Sequence, residues 1–365
     1  MNELIINKKD LINNINEIKS RESKNDYTII AVVKGNGYGM DMIQLVNTLI
    51  EHEINFFAVA AVDEALKLRK AGIKEIIILL TPILDKEIVR ELIKNDIVLT
   101  IDSEDSAKVA SDISRETNLN VTAHIKIDTG LNRYGFDYKE KEQIKNTIKK
   151  YNNINYEGIF SHFSNSLSSD DSWSKTQYSR LIKTIDYLED NEIKFKLKHI
   201  CNSSGFFKYP DMHLNAARVG SAFYGMAVGT DSNLKRIGTL HTKITKIRDI
   251  SKGEFIGYAN SYIAKKDMRI AILPTGYFDG IGRDIQTQRF KFKSKLKKLL
   301  LNFKNIFKDD TVYLKVNGEV TEVVGQIGMH DIVLDITGKE YKENEDVYID
   351  VRPGLIESSV KRIYQ

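Results

Sequence analysis

A chain of 365 residues, 42% apolar and 28% charged, is long enough for two domains or a barrel with an appendage, and its composition excludes disorder. A net charge of +4 is too small to select nucleic acid as a partner, and the single cysteine, Cys201, cannot close an internal disulfide, which fits a reducing, cytoplasmic setting. The opening MNELIINKKDLINN lacks the basic end and apolar centre of a secretion signal, and no uncharged run reaches membrane-spanning length.

In chain order, the first two-thirds alternate apolar runs with amphipathic segments. The runs TIIAVV, FFAVAA, EIIILL, IVLTI, TAHIKID, YEGIFSH, LKHIC and NAARVG read as strands, since consecutive apolar residues suit strands covered on both faces. Between them DEALKLRKAG, KEIVRELIKND, SEDSAKVASDI and TQYSRLIKTIDYLEDN carry apolar residues at helical spacing, several opening on the Asp or Ser that favours helix starts. Eight strands with intervening helices imply right-handed crossovers and a closed (β/α)₈ barrel of the TIM type. After about Gly225 the runs TLHTKITKIRDI, RIAILP, TVYLKVNG, EVTEVVG, IVLDI and DVYIDV are short, β-rich and separated by turns, the texture of a mostly β C-terminal domain. The expected division is a barrel over 1–228, with residues 1–8 free to join the second domain, and a β-rich domain over 229–365.

A barrel of this kind carries its functional groups on the rim at the carboxyl ends of its strands. The first strand runs into AVVKGNGYG, and Lys34 at the end of a buried strand is costly unless paired or used chemically. Arg133 follows the fifth strand in KIDTGLNRYG, and His162 ends the sixth. Asn202 and Ser203 end the seventh in HICNSS, and Arg218, Gly220 and Ser221 end the eighth in AARVGS. Singly, each reads as a satisfied loop residue, and Lys34 as a side chain reaching for water. Their convergence on one rim reverses that reading. Strand ends seven and eight are where barrels commonly bind phosphate, Ser203 offers a hydroxyl, and the backbone at Gly220 and Ser221 can approach an anion closely. A phosphate site across the rim from a lysine points to pyridoxal phosphate (PLP) bonded to that lysine.

On these motifs the chain resembles the alanine racemase family, a PLP-binding barrel followed by a β domain, over nearly its whole length. AVVKGNGYGMD is similar to the family's lysine motif, KIDTGLNRYGF to its arginine motif, and HICNSS and AARVGSAFYG to its phosphate and pyridine motifs. GYANSY and GYFDG, nineteen residues apart from tyrosine to tyrosine, are similar to its paired tyrosine motifs. The resemblance implies that Lys34 is the cofactor lysine and Tyr38 a phosphate ligand, with His162, Asn202, Ser203, Gly220 and Ser221 as further cofactor contacts. It places Arg218 at the pyridine nitrogen and Arg133 at the cofactor's phenolic oxygen and the substrate carboxylate. It sets Tyr277 at the entrance and the Met329 amide on the carboxylate. No metal is implied. Racemisation removes a proton from one face and delivers one to the other, most simply with two bases. By resemblance these are Lys34 and Tyr258, the latter supplied by the second subunit of a head-to-tail homodimer. A phenol acts as a base once nearby positive charge favours its ionised form, and Arg218 and His162 are the candidate sources.

Arg218 bears on the reaction type. A guanidinium is a permanent donor, so the ring nitrogen it faces stays an unprotonated acceptor and the cofactor is a weaker electron sink. That argues for racemisation of a small amino acid over decarboxylation. A non-catalytic PLP carrier would resemble the barrel alone and lack GYANSY and GYFDG. Lys126 stands where many family members carry a carbamylated lysine that orients the arginine, and a free ammonium beside Arg133 would repel it.

Three features depart from the family. Gln326 and His330 replace its arginine and aspartate around Met329. DVYIDV runs almost directly into RPGLIESSVKRIY, leaving no match for a C-terminal tyrosine that narrows the pocket, so serine is the alternative substrate to alanine. Arg289 to Lys308 holds eight basic residues, no acidic one, and an apolar stripe at helical spacing. It reads as an added helix packed on the β domain, with a membrane-surface or anionic-partner helix as the alternative. The expected product, D-alanine, would feed peptidoglycan synthesis.

Overall fold

Residues 2–21, 27–226, 232–283 and 312–365 are described in the computed structural model of the chain. The basic stretch 289–308 lies outside them. The chain divides into two compact units, Lys8–Ile237 and Met1–Asn7 with Gly238–Gln365.

The first strand, β1 (Glu3–Ile6), belongs to the second unit. In the first unit the apolar runs become β2 (Thr28–Val32), β3 (Phe56–Val59), β4 (Ile76–Leu79), β5 (Ile97–Ile101) and β6 (Val121–Asp128). A two-residue strand, β7 (Phe136–Asp137), edges β6, and β8 (Ile154–Phe160), β9 (Leu197–His199) and β10 (Ala216–Val219) follow. Each of the eight longer strands pairs in parallel with the next, and β10 returns to pair with β2, closing the barrel. Ile30, Val32, Phe56, Ala58, Ile78, Val98, Leu197 and Ala216 form a buried cluster, as barrel interiors filled by branched side chains require. Helices bridge the strands. Lys86–Lys94, for example, is capped by Asp85, which accepts from Glu87 N and Ile88 N, and it buries Val89, Leu92 and Ile93.

Among the described residues the second unit is one nine-stranded sheet with a small hairpin. Its strands are β11 (Gly238–Lys243), β12 (Lys246–Ile250), β13 (Phe255–Ile256), β14 (Tyr262–Ile263), β15 (Met268–Leu273), β16 (Val312–Val316), β17 (Glu319–Val323), β18 (Ile332–Asp335), β19 (Asp346–Asp350) and β20 (Lys361–Tyr364). The sheet order is β12-β15-β18-β17-β16-β19-β11-β1-β20, with β13 and β14 paired apart from it. β1 lies antiparallel to β11 and parallel to β20. Among the described residues no helix is long and apolar enough to cross a membrane.

Candidate active site

The chain leaves β2 through a turn of left-handed helix. Gly35, Asn36, Gly37, Tyr38 and Gly39 all have positive φ, and Gly37 N and Gly39 N donate to Val33 O and Gly35 O at 2.8 and 2.9 Å. Left-handed helix costs roughly 1–2 kcal/mol per residue that carries a Cβ, which is why three of these five positions are glycine. Glu64, from the helix Val62–Lys70, locks the turn. One carboxylate oxygen accepts from Gly35 N and Asn36 N, the other from Ala60 N and Ala61 N. Lys34 emerges half-buried at the start of this turn. Burial, then the charge of Arg133 and of Arg218, lower its pKa against the opposing pull of Glu64.

The same turn delivers Tyr38 onto Gly220, where a Cβ would lie 2.6 Å from the phenol oxygen. Only glycine admits that approach. Burial raises the Tyr38 pKa, so the phenol stays a neutral donor. Ser203 Oγ accepts from Gly220 N at 3.0 Å and from Ala222 N at 3.4 Å, so the ends of β9 and β10 form one cradle with Ser221 beside it. Asn202 turns elsewhere: its Oδ1 caps the helix Ser203–Lys208 through Gly205 N and accepts from Ser166 Oγ.

Arg218 is buried and stacks over the Phe160 ring at 5.0 Å. Its Nη atoms donate to His199 Nδ1 and O, to Ser161 O at 2.6 Å, to Ile200 O at 3.3 Å and to His162 Nδ1 at 2.9 Å. Its Nε–H alone finds no acceptor among the described residues. Because guanidinium only donates, each histidine Nδ1 it meets is an acceptor. His199 therefore carries its proton on Nε2 and donates to His124 Nδ1 at 2.9 Å, leaving the His124 Nε2–H buried with no partner among the described residues. Burial and Arg218 hold His199 well below the ordinary histidine range and push His124 down to about 3. His162 is held well below it too, by burial and by Arg218, Arg133, Lys126 and Lys34. The expectation that His162 adds positive charge for a phenolate is thus corrected: amid four cations the imidazole is neutral.

Lys126 on β6 is 4% exposed, with its ammonium 5.3 Å from the ring centres of both Tyr134 and Phe160 and no ion-pair partner among the described residues. Burial, then Arg218 and Arg133, lower its pKa to about 8. Asp128, ending the same strand, accepts from the N–H groups of Gly130, Leu131, Asn132 and Arg133 at 2.7 to 3.2 Å. One carboxylate therefore shapes the loop that presents the exposed Arg133.

In the β unit, Tyr258 follows Gly257 in a turn after β13 and is 71% exposed. Tyr277 N donates to Gly328 O and Phe278 N to Met329 O, both at 3.0 Å, which brings Tyr277 and Met329 together. The same 325–329 segment reaches the Tyr258 turn through Gln326 N, which donates to Ser261 Oγ at 3.0 Å. Three residues distant in sequence thus hang from one loop. His330 packs on Phe278 at 5.1 Å, and the Met329 N–H has no acceptor among the described residues. His199, His124 and Glu64 were not singled out in the sequence. His199 lies inside the motif HICNSS, whereas nothing near Glu64 in sequence marks its reach to the lysine turn.

Known proteins share this fold and much of its sequence. The chain matches the family described as alanine racemase, N-terminal domain, over residues 6–228, and alanine racemase, C-terminal domain, over residues 237–353. It is 32% identical over 343 residues to the alanine racemase of Methanococcus maripaludis, covering 92% of this chain and 84% of that one. It is 33% identical over 334 residues to alanine racemase 1 of Clostridium acetobutylicum, covering 89% and 79%. The solved alanine racemase of Clostridium difficile 630 superposes with a TM-score of 0.86 at 26% identity, covering 100% of this chain and 95% of that one. Barrel, β domain and matched motifs together define an amino-acid racemase, an isomerase. The chain belongs to the alanine racemase family.

Proposed function

We propose that this chain interconverts L- and D-alanine with PLP as cofactor, by a two-base mechanism in a homodimer. The relatives carry alanine racemase names, which favours alanine over the serine alternative. The observation that carries the reading is a lysine of lowered pKa on the same barrel rim as the Tyr38–Ser203–Gly220 cradle.

The rim residues fit that cofactor. The cradle offers hydroxyls of Tyr38 and Ser203 and closely approachable backbone at Gly220 and Ser221 for a phosphate, and the unmet Arg218 Nε–H suits an aromatic nitrogen acceptor. Lys34, whose charged form is disfavoured by burial and by Arg133 and Arg218, suits the aldehyde. Bound there, PLP supplies the electron withdrawal that acidifies the substrate's α-C–H. Lys34 holds and releases the proton on one face, and Tyr258 of the partner subunit does so on the other. The exposure of Tyr258, Tyr277 and Met329 supports their use by a second copy. Arg133 and the Met329 amide hold the carboxylate, and Arg218, locked into its histidine and carbonyl partners, stays protonated and fixed. The D-alanine formed would serve peptidoglycan synthesis in the cytoplasm.

Racemisation of alanine and of serine by one sample, with the visible spectrum before and after borohydride reduction, tests the reading. The expected result is a clear preference for alanine and a reducible chromophore that Lys34→Ala loses. A preference for serine, or an unchanged spectrum in that variant, would overturn it.

A further inference from the structure

A groove of about 540 Å³ lies between the start of the helix Lys141–Lys150 and the helix Ser172–Asp190, and none of the rim residues described above lines it. Five cations line it: Lys139, Lys141, Lys175, Arg180 and Lys183. Among the described residues only Lys175 has a carboxylate partner, Asp171 at 2.9 Å. Other lysines on the same unit do find carboxylates, Lys145 with Glu142, Lys150 with Glu104, Lys196 with Glu157 and Lys198 with Glu189. Four of the five cations in this groove are thus without a carboxylate partner among the described residues. A concave wall of one sign focuses its field and concentrates counter-ions, and the volume suits a small ligand.

Arg180 ties the groove to the substrate loop. Its Nη1 donates to Thr129 O at 2.9 Å, and its guanidinium lies over the rings of Tyr138 and Trp173 at 4.4 and 5.0 Å. Thr129 immediately precedes the Gly130–Arg133 loop, and the Trp173 ring packs so closely on Gly130 that a Cβ there would lie 2.7 Å from it. The guanidinium therefore joins the groove to the residues that open the loop presenting Arg133.

We propose that this groove binds a phosphate-bearing small molecule, and that Arg180 couples its occupancy to the Trp173–Gly130 contact. Several ammonium groups around one forked guanidinium are the chemistry that holds phosphate oxygens. Binding here does not depend on the racemase reading.

Inorganic pyrophosphate, titrated into the PLP-loaded enzyme so that the rim cradle is filled, is the probe. Trp173 is the only tryptophan in the chain, so intrinsic fluorescence reports on this place directly. In about 0.15 M salt the expected result is a saturable fluorescence change, with matching broadening of the ³¹P signal of pyrophosphate. Lys139→Glu/Lys183→Glu should weaken both at least tenfold, while Lys74→Glu/Lys94→Glu, an equal charge change at exposed positions outside the groove, leaves them unchanged. No saturable binding, or equal loss in the two double variants, overturns the site. Broadening lost in the groove variant with silent fluorescence in the wild type overturns the coupling.

Discussion

The Arg218 guanidinium donates to His162 Nδ1 across 2.9 Å, so the imidazole is an acceptor there and holds its single proton on Nε2. With burial and four cations around it, His162 is held well below the ordinary histidine range. Its protonation therefore contributes no step near pH 6.5. The kcat/KM profile for alanine between pH 5.5 and 8 should keep its shape in His162→Asn, even where the absolute rate falls. Loss of a limb near neutrality in the variant would show that the imidazole titrates there.

Lys126 gives the opposite opportunity, a group that does titrate in reach. Below about pH 8 it is charged in both folded and unfolded chains, and the folded state carries the full burial cost, roughly 3 kcal/mol for a shift from 10.5 to about 8. Between those values only the unfolded chain keeps the proton, so the cost is relieved and stability rises with pH. In CO₂-free buffer the wild type should gain on Lys126→Met from pH 7 to 10, read by urea unfolding. Parallel curves would mean an ordinary lysine.

The free amine that exists above pH 8 is also the form that takes up carbon dioxide, releasing a proton and leaving a carbamate. With ¹³C-bicarbonate, a carbamate resonance should grow through this pH range and be absent from Lys126→Met. Its absence from the wild type would remove carbamylation from the picture.

Gly220→Ala isolates the cradle. The Gly220 φ is −139°, outside the left-handed region, and the added methyl collides with the Tyr38 phenol at 2.6 Å. PLP affinity should drop by an order of magnitude or more, about 1.4 kcal/mol per tenfold, with thermal stability of the cofactor-free protein little changed. Unaltered affinity would place the phosphate elsewhere.

Tyr258→Phe removes one of the two proposed bases. Activity should fall by roughly 10²- to 10⁴-fold, the usual worth of a positioned acid or base. Solvent deuterium should still enter the α-position from one enantiomer far faster than from the other, followed by proton NMR. Equal exchange from both would exclude the two-base scheme.

Barrel and β domain were legible in the sequence because their signals are local. TIIAVV, IVLTI and TAHIKID are runs that only strands buried on both faces tolerate, and each became one. The rim residues were legible for the same reason, since the end of a parallel strand fixes the rim on which a residue falls. ELII and KRIY were not, because four residues carry no period of their own and became strands through pairing with each other.

Only the tertiary structure decided the charge states and supports of the site. That His162 is neutral follows from burial among four cations carried at the ends of three strands, and the tautomer of His199 from an arginine nineteen residues away. Glu64 locks a glycine turn some thirty residues before it, a contact that barrel closure creates and that leaves no mark on either segment. Composition and periodicity constrain what each segment becomes. Burial and through-space charge, which set what each group does, exist once the chain has folded.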